Sequence, residues 1–207
     1  QYKEHVKEAV RAGADAVICG AGLPADLPEL VKAGKTKIAP IVSSKRAAAL
    51  ILKTWDKKYG RTADFIVVEG PKAGGHLGFS DEQLKDIPAI GFEKEFGDIL
   101  EEKKKYEEKY GVKIPVFAAG GIWDKADAAR AKQLGADGVQ VATRFVATKE
   151  CDASREYKQA YVNASGEDVK IIKSPVGMPG RALYNTFIHE TEQASERNGR
   201  CYHCIKN

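Results

Sequence analysis

The sequence is poor in sulfur and has no long apolar run. Its 207 residues include four cysteines and a single methionine, Met178. Four cysteines in a chain of this length do not make the dense disulfide framework of small secreted domains. No apolar stretch approaches the roughly 18 residues that span a bilayer, and no signal-peptide pattern precedes the first helical pattern. These absences predict a soluble, cytoplasmic protein.

The chain also lacks a strong excess of charge of one sign. Lysine and arginine number 33 and the acidic residues 29, which gives a net charge of +4. Basic and acidic residues alternate, for instance over residues 101–109, whereas a nucleic-acid site needs basic residues gathered on one face. We therefore expect neither a nucleic acid nor a membrane as a partner. The length suits one globular domain.

Short apolar runs alternate with helical patterns along the chain. The runs lie at residues 14–20, 37–42, 64–69, 114–119 and 136–142. The helical patterns lie at residues 2–12, 45–59, 92–110 and 126–134. Each run is apolar nearly throughout, which is typical of a parallel strand buried on both faces. The alternation predicts right-handed crossover units and a parallel sheet of the α/β class.

Two architectures fit this pattern, an open doubly wound sheet and a closed eight-stranded barrel. A barrel needs eight strands and about 250 residues, and the pattern supplies five strands preceded by a helix. A barrel therefore requires about three more strand–helix units ahead of Gln1. The chain starts inside a helical pattern and its only methionine is Met178, so we expect it to be a fragment.

A glycine-rich segment with one histidine, residues 69–78, follows the third run. Gly74 and Gly75 allow the backbone to come close to a ligand, and His76 is suited to proton exchange near neutral pH. In the alternative interpretation, the two glycines only form a tight turn that His76 caps. The position of the histidine in a loop at a strand end favours the functional interpretation.

Two further segments follow the fourth and fifth runs. Gly120 and Gly121 offer two unobstructed backbone N–H groups just before a helix, which together favour an anion. Residues 140–145 contribute the Thr143 hydroxyl and the Arg144 guanidinium. Loops after the seventh and eighth strands of barrels frequently bind phosphate. With three units missing, these two segments occupy those positions.

These residues resemble the nitronate monooxygenases, formerly called 2-nitropropane dioxygenases, and the closely similar type II enoyl-acyl-carrier-protein reductases. The resemblance covers most of residues 14–183. It rests on AGGH at 73–76, PVFAAGGI at 115–122, GADGVQVATRF at 135–145 and KSPVGMPGR at 173–181.

The resemblance implies a (β/α)8 TIM barrel that binds FMN, here lacking about its first three strand–helix units. Residues 1–190 would form the flavin-binding domain with strands 4 to 8, and residues 191–207 a tail. The implied cofactor-binding residues are Glu69, Gly74, Gly75, Gly120, Gly121, Gln140, Val141, Ala142 and Thr143. His76 matches the catalytic histidine, and Met178 would border the substrate.

The resemblance leaves three functional interpretations open. The first is oxidation of nitronates or nitroalkanes with molecular oxygen, and the second is reduction of an enoyl thioester with NAD(P)H. The third is an inactive phosphate-binding domain or a truncated fragment. Ala142 replaces a common glycine, and Glu69 replaces the glutamine of several nitronate enzymes, which leans toward the reductases. The family's opening strand, with its glycine-rich turn, has no match here.

Two segments near the end of the sequence give weaker signals. Cys201 and Cys204 have the spacing of a metal knuckle, but one pair is half a zinc site, so we predict reduced thiols and no metal. Residues 173–181, rich in proline and glycine, are predicted as an irregular loop. The sequence does not fix the oligomeric state, and a homodimer stays open.

Overall fold

The computed structural model describes residues 2–32, 34–174 and 177–193. The strands are β1 Ala16–Cys19, β2 Lys37–Val42, β3 Ile66–Glu69, β4 Gly75–His76, β5 Val116–Ala119, β6 Gly138–Gln140, β7 Val169–Lys173 and β8 Pro179–Leu183. The helices are α1 Tyr2–Arg11, α2 Leu27–Leu30, α3 Lys45–Tyr59, α4 Asp81–Lys85, α5 Phe92–Tyr110, α6 Lys125–Gln133, α7 Thr143–Val146, α8 Arg155–Asn163 and α9 Thr186–Gln193. Short 3-10 turns lie at Pro88–Ile90 and Gly166–Asp168.

The five predicted strands form one parallel sheet with the order β1-β2-β3-β5-β6. All four pairings in it are parallel, with registers such as Val67 opposite Phe117. Helices connect successive strands of this sheet, which confirms the α/β class. The described residues hold five of the eight strands of a (β/α)8 barrel.

Local sequence signals set the start of α3 and the ends of both long helices. The Ser44 side chain accepts the Ala47 N–H at the start of α3. Gly60 ends α3 and Gly111 ends α5, both in the left-handed conformation that glycine adopts without steric cost. These signals are local, so the predicted bounds 45–59 and 92–110 are confirmed residue for residue.

The core lies between the sheet and the α3–α5 pair. Trp55, Phe96, Ile66 and Ile99 are fully buried in it. Trp55 also donates its Nε1–H to the Pro24 carbonyl at 3.0 Å, which satisfies its one polar group. This layer holds the central strands in place and so fixes where their carboxyl ends meet.

The prediction that every strand is buried on both faces is wrong for β1 and β6. In β1, Ile18 is 44% exposed, and every residue of β6 is only half-buried. Each strand has a neighbour on one side only within the described residues. An edge position leaves part of an apolar strand open to solvent.

The prediction of an irregular loop over residues 173–181 is wrong at both ends, at Lys173 and from Pro179 onward. Strands β7 and β8 form an antiparallel hairpin there, with Lys173 opposite Pro179, and β8 pairs on its other side with β4. Proline is tolerated at the first residue of a strand, so Pro179 does not prevent pairing. Residues 175 and 176 lie outside the described residues.

Aspartates bind neighbouring strands together at the amino ends of the sheet. Asp137 accepts the Val116 N–H at 2.9 Å and the Lys113 ammonium at 2.6 Å. Asp64 accepts the Ile38 N–H at 2.9 Å in the same way. The Lys113 ammonium, helped by the Val116 N–H, lowers the pKa of Asp137. These contacts fix the register of the sheet at the edge opposite the carboxyl ends of the strands.

We expect Asp137→Ala to lower the free energy of unfolding of the intact protein by about 2 kcal/mol near neutral pH, since hydrogen bonds to a charged group are lost. Because the folded pKa is depressed, this stabilisation is present above the unfolded pKa and is lost as pH falls through the folded pKa. Urea unfolding across that pH range tests it. Asp152→Ala, at an exposed position, is the control, and equal losses in both variants would contradict the assignment.

Two features of the sequence concern membranes and metals. Of the helices in the described ranges, none is long and apolar enough to cross a bilayer. Cys201 and Cys204, with residues 194–207 as a whole, lie outside the described residues. The prediction of reduced thiols there stays a prediction.

Candidate active site

The predicted site residues gather at the carboxyl edge of the parallel sheet. Glu69, the last residue of β3, lies opposite Ala119 of β5, and Ala119 lies opposite Gln140 of β6. The segments that follow these three residues therefore start side by side. This edge is where α/β enzymes of both barrel and open-sheet type place their ligands.

The segment after β3 folds over the Gly120–Gly121 turn. Gly120 and Gly121 have φ angles of +90° and +72°, which glycine adopts without strain. A Cβ on Gly120 would lie 2.9 Å from the Gly70 carbonyl oxygen, and one on Gly121 would lie 2.8 Å from Lys72 Cβ. Both positions therefore require glycine for two reasons. The backbone has a positive φ there, and the segment after β3 comes too close to leave room for a Cβ.

The donor groups of this turn fit a phosphate. In the described part of the chain, the Gly121 and Ile122 amides have no backbone acceptor. The turn leads into α6, whose N-cap Asp124 accepts the Asp127 N–H. Across the loop, a Cβ on Gly74 would lie 3.7 Å from Thr143 Oγ1, at the start of α7. Free amides and a hydroxyl near a helix start are a donor set that suits an anion.

The Arg144 side chain contacts Trp123 and does not serve as an anion ligand at this turn. Its guanidinium lies over the Trp123 ring, with Cζ 5.6 Å from the ring centroid. It also donates a hydrogen bond to the Trp123 carbonyl. The predicted guanidinium donor is therefore engaged by Trp123 in this structure.

At the same edge of the sheet lies a cavity of about 220 Å³. Three of the predicted residues line it: Glu69, His76 and Met178. Its other lining residues come from the loop after β1, the end of β2 with the residues that follow it into α3, and the segment after β4. They are Gly20, Ala21, Gly22, Leu23, Ile41, Val42, Ser43, Ser44, Ala47, Leu77 and Gly78. Burial raises the pKa of the Glu69 carboxyl. Glu69 and His76 are the two titratable side chains that line the cavity within the described residues.

His76 is positioned by the antiparallel sheet. It lies opposite Gly180 in the β4–β8 pair, and its Nε2 is 2.8 Å from Ser174 Oγ. Arg181 donates hydrogen bonds of 2.7 Å to both the Pro71 and Ala73 carbonyls. The guanidinium thereby holds the loop that carries His76.

The predicted residues thus fall into two adjoining groups. Glu69, His76 and Met178 line the cavity. The glycine turn and the loop facing it contain Gly74, Gly120 and Gly121, and Thr143 at the start of α7 lies beside Gly74. Gln140, Val141 and Ala142 connect β6 to α7, and Gly75 precedes His76 in β4. The structure brings all of them to one edge of the sheet.

Sequence reasoning missed the walls contributed by β1 and β2. Ala21 has a φ of +57° and is the one non-glycine residue with positive φ in the described ranges. Gly20 and Gly22 beside it, directly after an apolar run, were a usable signal. Ser43 gave no signal of a site in the sequence. A serine before a helical pattern indicates an N-cap, and its neighbour Ser44 is the N-cap of α3.

A parallel α/β sheet with a glycine turn and a histidine-lined cavity at its carboxyl edge is the arrangement of an α/β enzyme of barrel or open-sheet type. Residues 1–204 match the profile of the family described as nitronate monooxygenase. The chain belongs to this family of oxidoreductases, which confirms the resemblance seen in the sequence.

Named relatives and solved structures agree with this family. The chain is 29% identical to a probable nitronate monooxygenase of Staphylococcus saprophyticus, over 93% of this chain and 50% of the relative. A probable nitronate monooxygenase of Staphylococcus aureus strain Newman gives the same identity and coverage. The chain spans about half the length of the curated relatives it matches.

Two solved structures share the fold. FabK from Thermotoga maritima has 30% identity and a TM-score of 0.70, over 93% of this chain and 54% of that chain. A nitroalkane oxidase from Streptomyces ansochromogenes has 24% identity and a TM-score of 0.68, over 92% of this chain and 51% of that chain. The second likeness supports the fold alone.

Proposed function

We propose that the protein containing this chain is an FMN-dependent oxidoreductase that oxidises alkyl nitronates or nitroalkanes with molecular oxygen. The observation that carries the proposal is the cavity lined by His76 and Glu69, at the same carboxyl edge of the sheet as the glycine turn. Gly120, Gly121, Ala142 and Thr143 would hold the FMN phosphate. FMN, when bound, would take electrons from the substrate and pass them to oxygen.

His76 would handle the proton in this reaction. Its Nε2 lies 2.8 Å from Ser174 Oγ, so the ring is oriented by a hydroxyl. In that position it can accept the proton from the nitro-bearing carbon of a nitroalkane or hydrogen-bond to a nitronate oxygen. Leu77 and Val42, both buried, form part of the apolar side of the cavity.

A second candidate function, reduction of an enoyl thioester, is supported by the identity of residue 69 and by the similarity to FabK. Glu69 stands where several nitronate enzymes have glutamine, and FabK is among the similar structures at 30% identity. Both favour an enoyl thioester reductase that takes hydride from NAD(P)H through the same FMN. In that case His76 would orient the thioester.

Anaerobic reduction of the flavin separates these functions. The full-length protein, saturated with FMN, is mixed in turn with propane-2-nitronate and with NADH or NADPH, and the flavin absorbance is followed. Bleaching by the nitronate supports the first function. Rapid bleaching by the nicotinamide without any nitro compound supports the second. A protein that stays colourless in excess FMN contradicts both and leaves an inactive phosphate-binding domain.

A further inference from the structure

The segment that carries His76 is attached to the rest of the molecule at two places. At its start, residues 70–73 form a tight turn, in which the Ala73 N–H donates to the Gly70 carbonyl at 3.1 Å. This turn lies directly on Gly120, because a Cβ there would be 2.9 Å from both the Ala73 nitrogen and the Gly70 oxygen. At its end, strand β4 pairs with β8. The segment therefore connects the glycine turn with the imidazole.

The backbone pairing between this segment and β8 is short. Strand β4 has two residues, and so short a pairing supplies few hydrogen bonds of its own. One more backbone bond runs from the Leu77 N–H to the Pro179 carbonyl at 2.9 Å. The position of His76 therefore depends on contacts made by side chains.

Arg181 makes such a contact from β8. It lies opposite Gly75 of β4 and opposite Ile171 of β7, so its backbone is fixed on both sides. Its Nη1 donates to the Pro71 and Ala73 carbonyls, both at 2.7 Å. Pro71 and Ala73 are buried, and no backbone N–H of the described ranges donates to either carbonyl. Loss of the guanidinium would leave both acceptors without their donor, which costs free energy.

We propose that Arg181 is a positioning residue for the reaction, which sets the place of His76 relative to the glycine turn by tying the segment between them to β8. This inference rests on the proposed function, in which His76 handles the proton and the glycine turn holds FMN. Arg181 is not among the described residues that line the cavity. It therefore acts through the segment and not on the substrate.

Hydrogen–deuterium exchange of the full-length protein tests whether Arg181 holds the segment. Arg181→Met keeps an apolar stem and removes the donors. We expect the amides of residues 70–77 to exchange at least about tenfold faster in this variant, the lower range for hydrogen bonds from a charged donor, while α3 and α5 keep their protection. Arg155→Met, at an exposed position on α8, is the matched control and should leave exchange unchanged.

A double-mutant cycle on turnover tests whether the positioning acts through His76. Turnover of propane-2-nitronate at saturating FMN is measured for Arg181→Met, for His76→Ala and for the double variant. Arg181→Met is expected to lower turnover at least about tenfold, since a small misplacement of a reacting group is costly. In the His76→Ala background the same change should lower turnover less than about twofold, because no imidazole is left to misplace.

The conservative variant Arg181→Lys keeps a charged donor of shorter reach, so its effects on exchange and turnover should be smaller than those of Arg181→Met. It replaces Arg181→Met in the cycle if that variant loses protection in α3 and α5. Equal losses of turnover in both backgrounds, or unchanged exchange of residues 70–77, would overturn the proposal. A wild type without turnover in excess FMN would contradict the proposed function, and the exchange result would then decide on Arg181 by itself.

Discussion

The substitution His76→Ala is expected to lower turnover at least about a hundredfold, the lower range for loss of a general acid or base, while FMN stays bound. His76 lies in the cavity wall against Ser174, whereas the groups suited to the phosphate lie in the glycine turn. Removal of the imidazole should thus affect proton transfer and leave cofactor binding intact. Steady-state rates with nitronate and nitroalkane, together with the flavin-to-protein ratio, measure both effects.

His189→Ala is the matched control for this experiment. His189 lies on α9 at an exposed position and takes no part in the cavity, so its loss should leave turnover unchanged. Unchanged turnover in His76→Ala would remove His76 from the mechanism. Loss of flavin in that variant would mean that His76 anchors the cofactor.

The second large effect is expected for Gly121→Asp, which should weaken FMN binding at least about a hundredfold, since a carboxylate beside a dianion adds repulsion in a partly desolvated site. The backbone adds to this cost, because φ at Gly121 is +72° and a Cβ there would lie 2.8 Å from Lys72 Cβ. Fluorescence titration with FMN measures the affinity. Riboflavin, which lacks the phosphate, should lose much less affinity.

Gly111→Asp controls for backbone strain in this comparison. Gly111 has a φ of +63° at the end of α5, and a Cβ there would meet nothing within 4 Å. This variant should lose stability from the same strain and keep its FMN affinity. Full FMN affinity in Gly121→Asp would mean that the phosphate lies elsewhere.

The parallel sheet could be predicted from the sequence because its signals are local. Apolar runs mark the strands, and Ser44, Gly60 and Gly111 mark the ends of long helices. The Gly120–Gly121 turn was found for the same reason, since consecutive glycines directly follow an apolar run. Edge exposure of β1 was missed, because the number of neighbours of a strand is not a local property.

The antiparallel sheet could not be predicted, and neither could the part of the cavity wall that Ser43 contributes. Strand β4 is two residues long, and His76 is paired with Gly180 about half the chain away. Arg181 stabilises that arrangement through carbonyl groups, which leave no signature in the sequence. Ala21 has a positive φ that alanine rarely adopts, so its conformation is imposed by the surrounding structure.

The most direct test of the account is the cofactor content of the full-length protein. The bound flavin is released by denaturation, identified by chromatography against FMN and riboflavin, and quantified against the protein. We expect FMN at a ratio near unity, lowered in Gly121→Asp and unchanged in His76→Ala. A colourless protein that takes up no added FMN would contradict it.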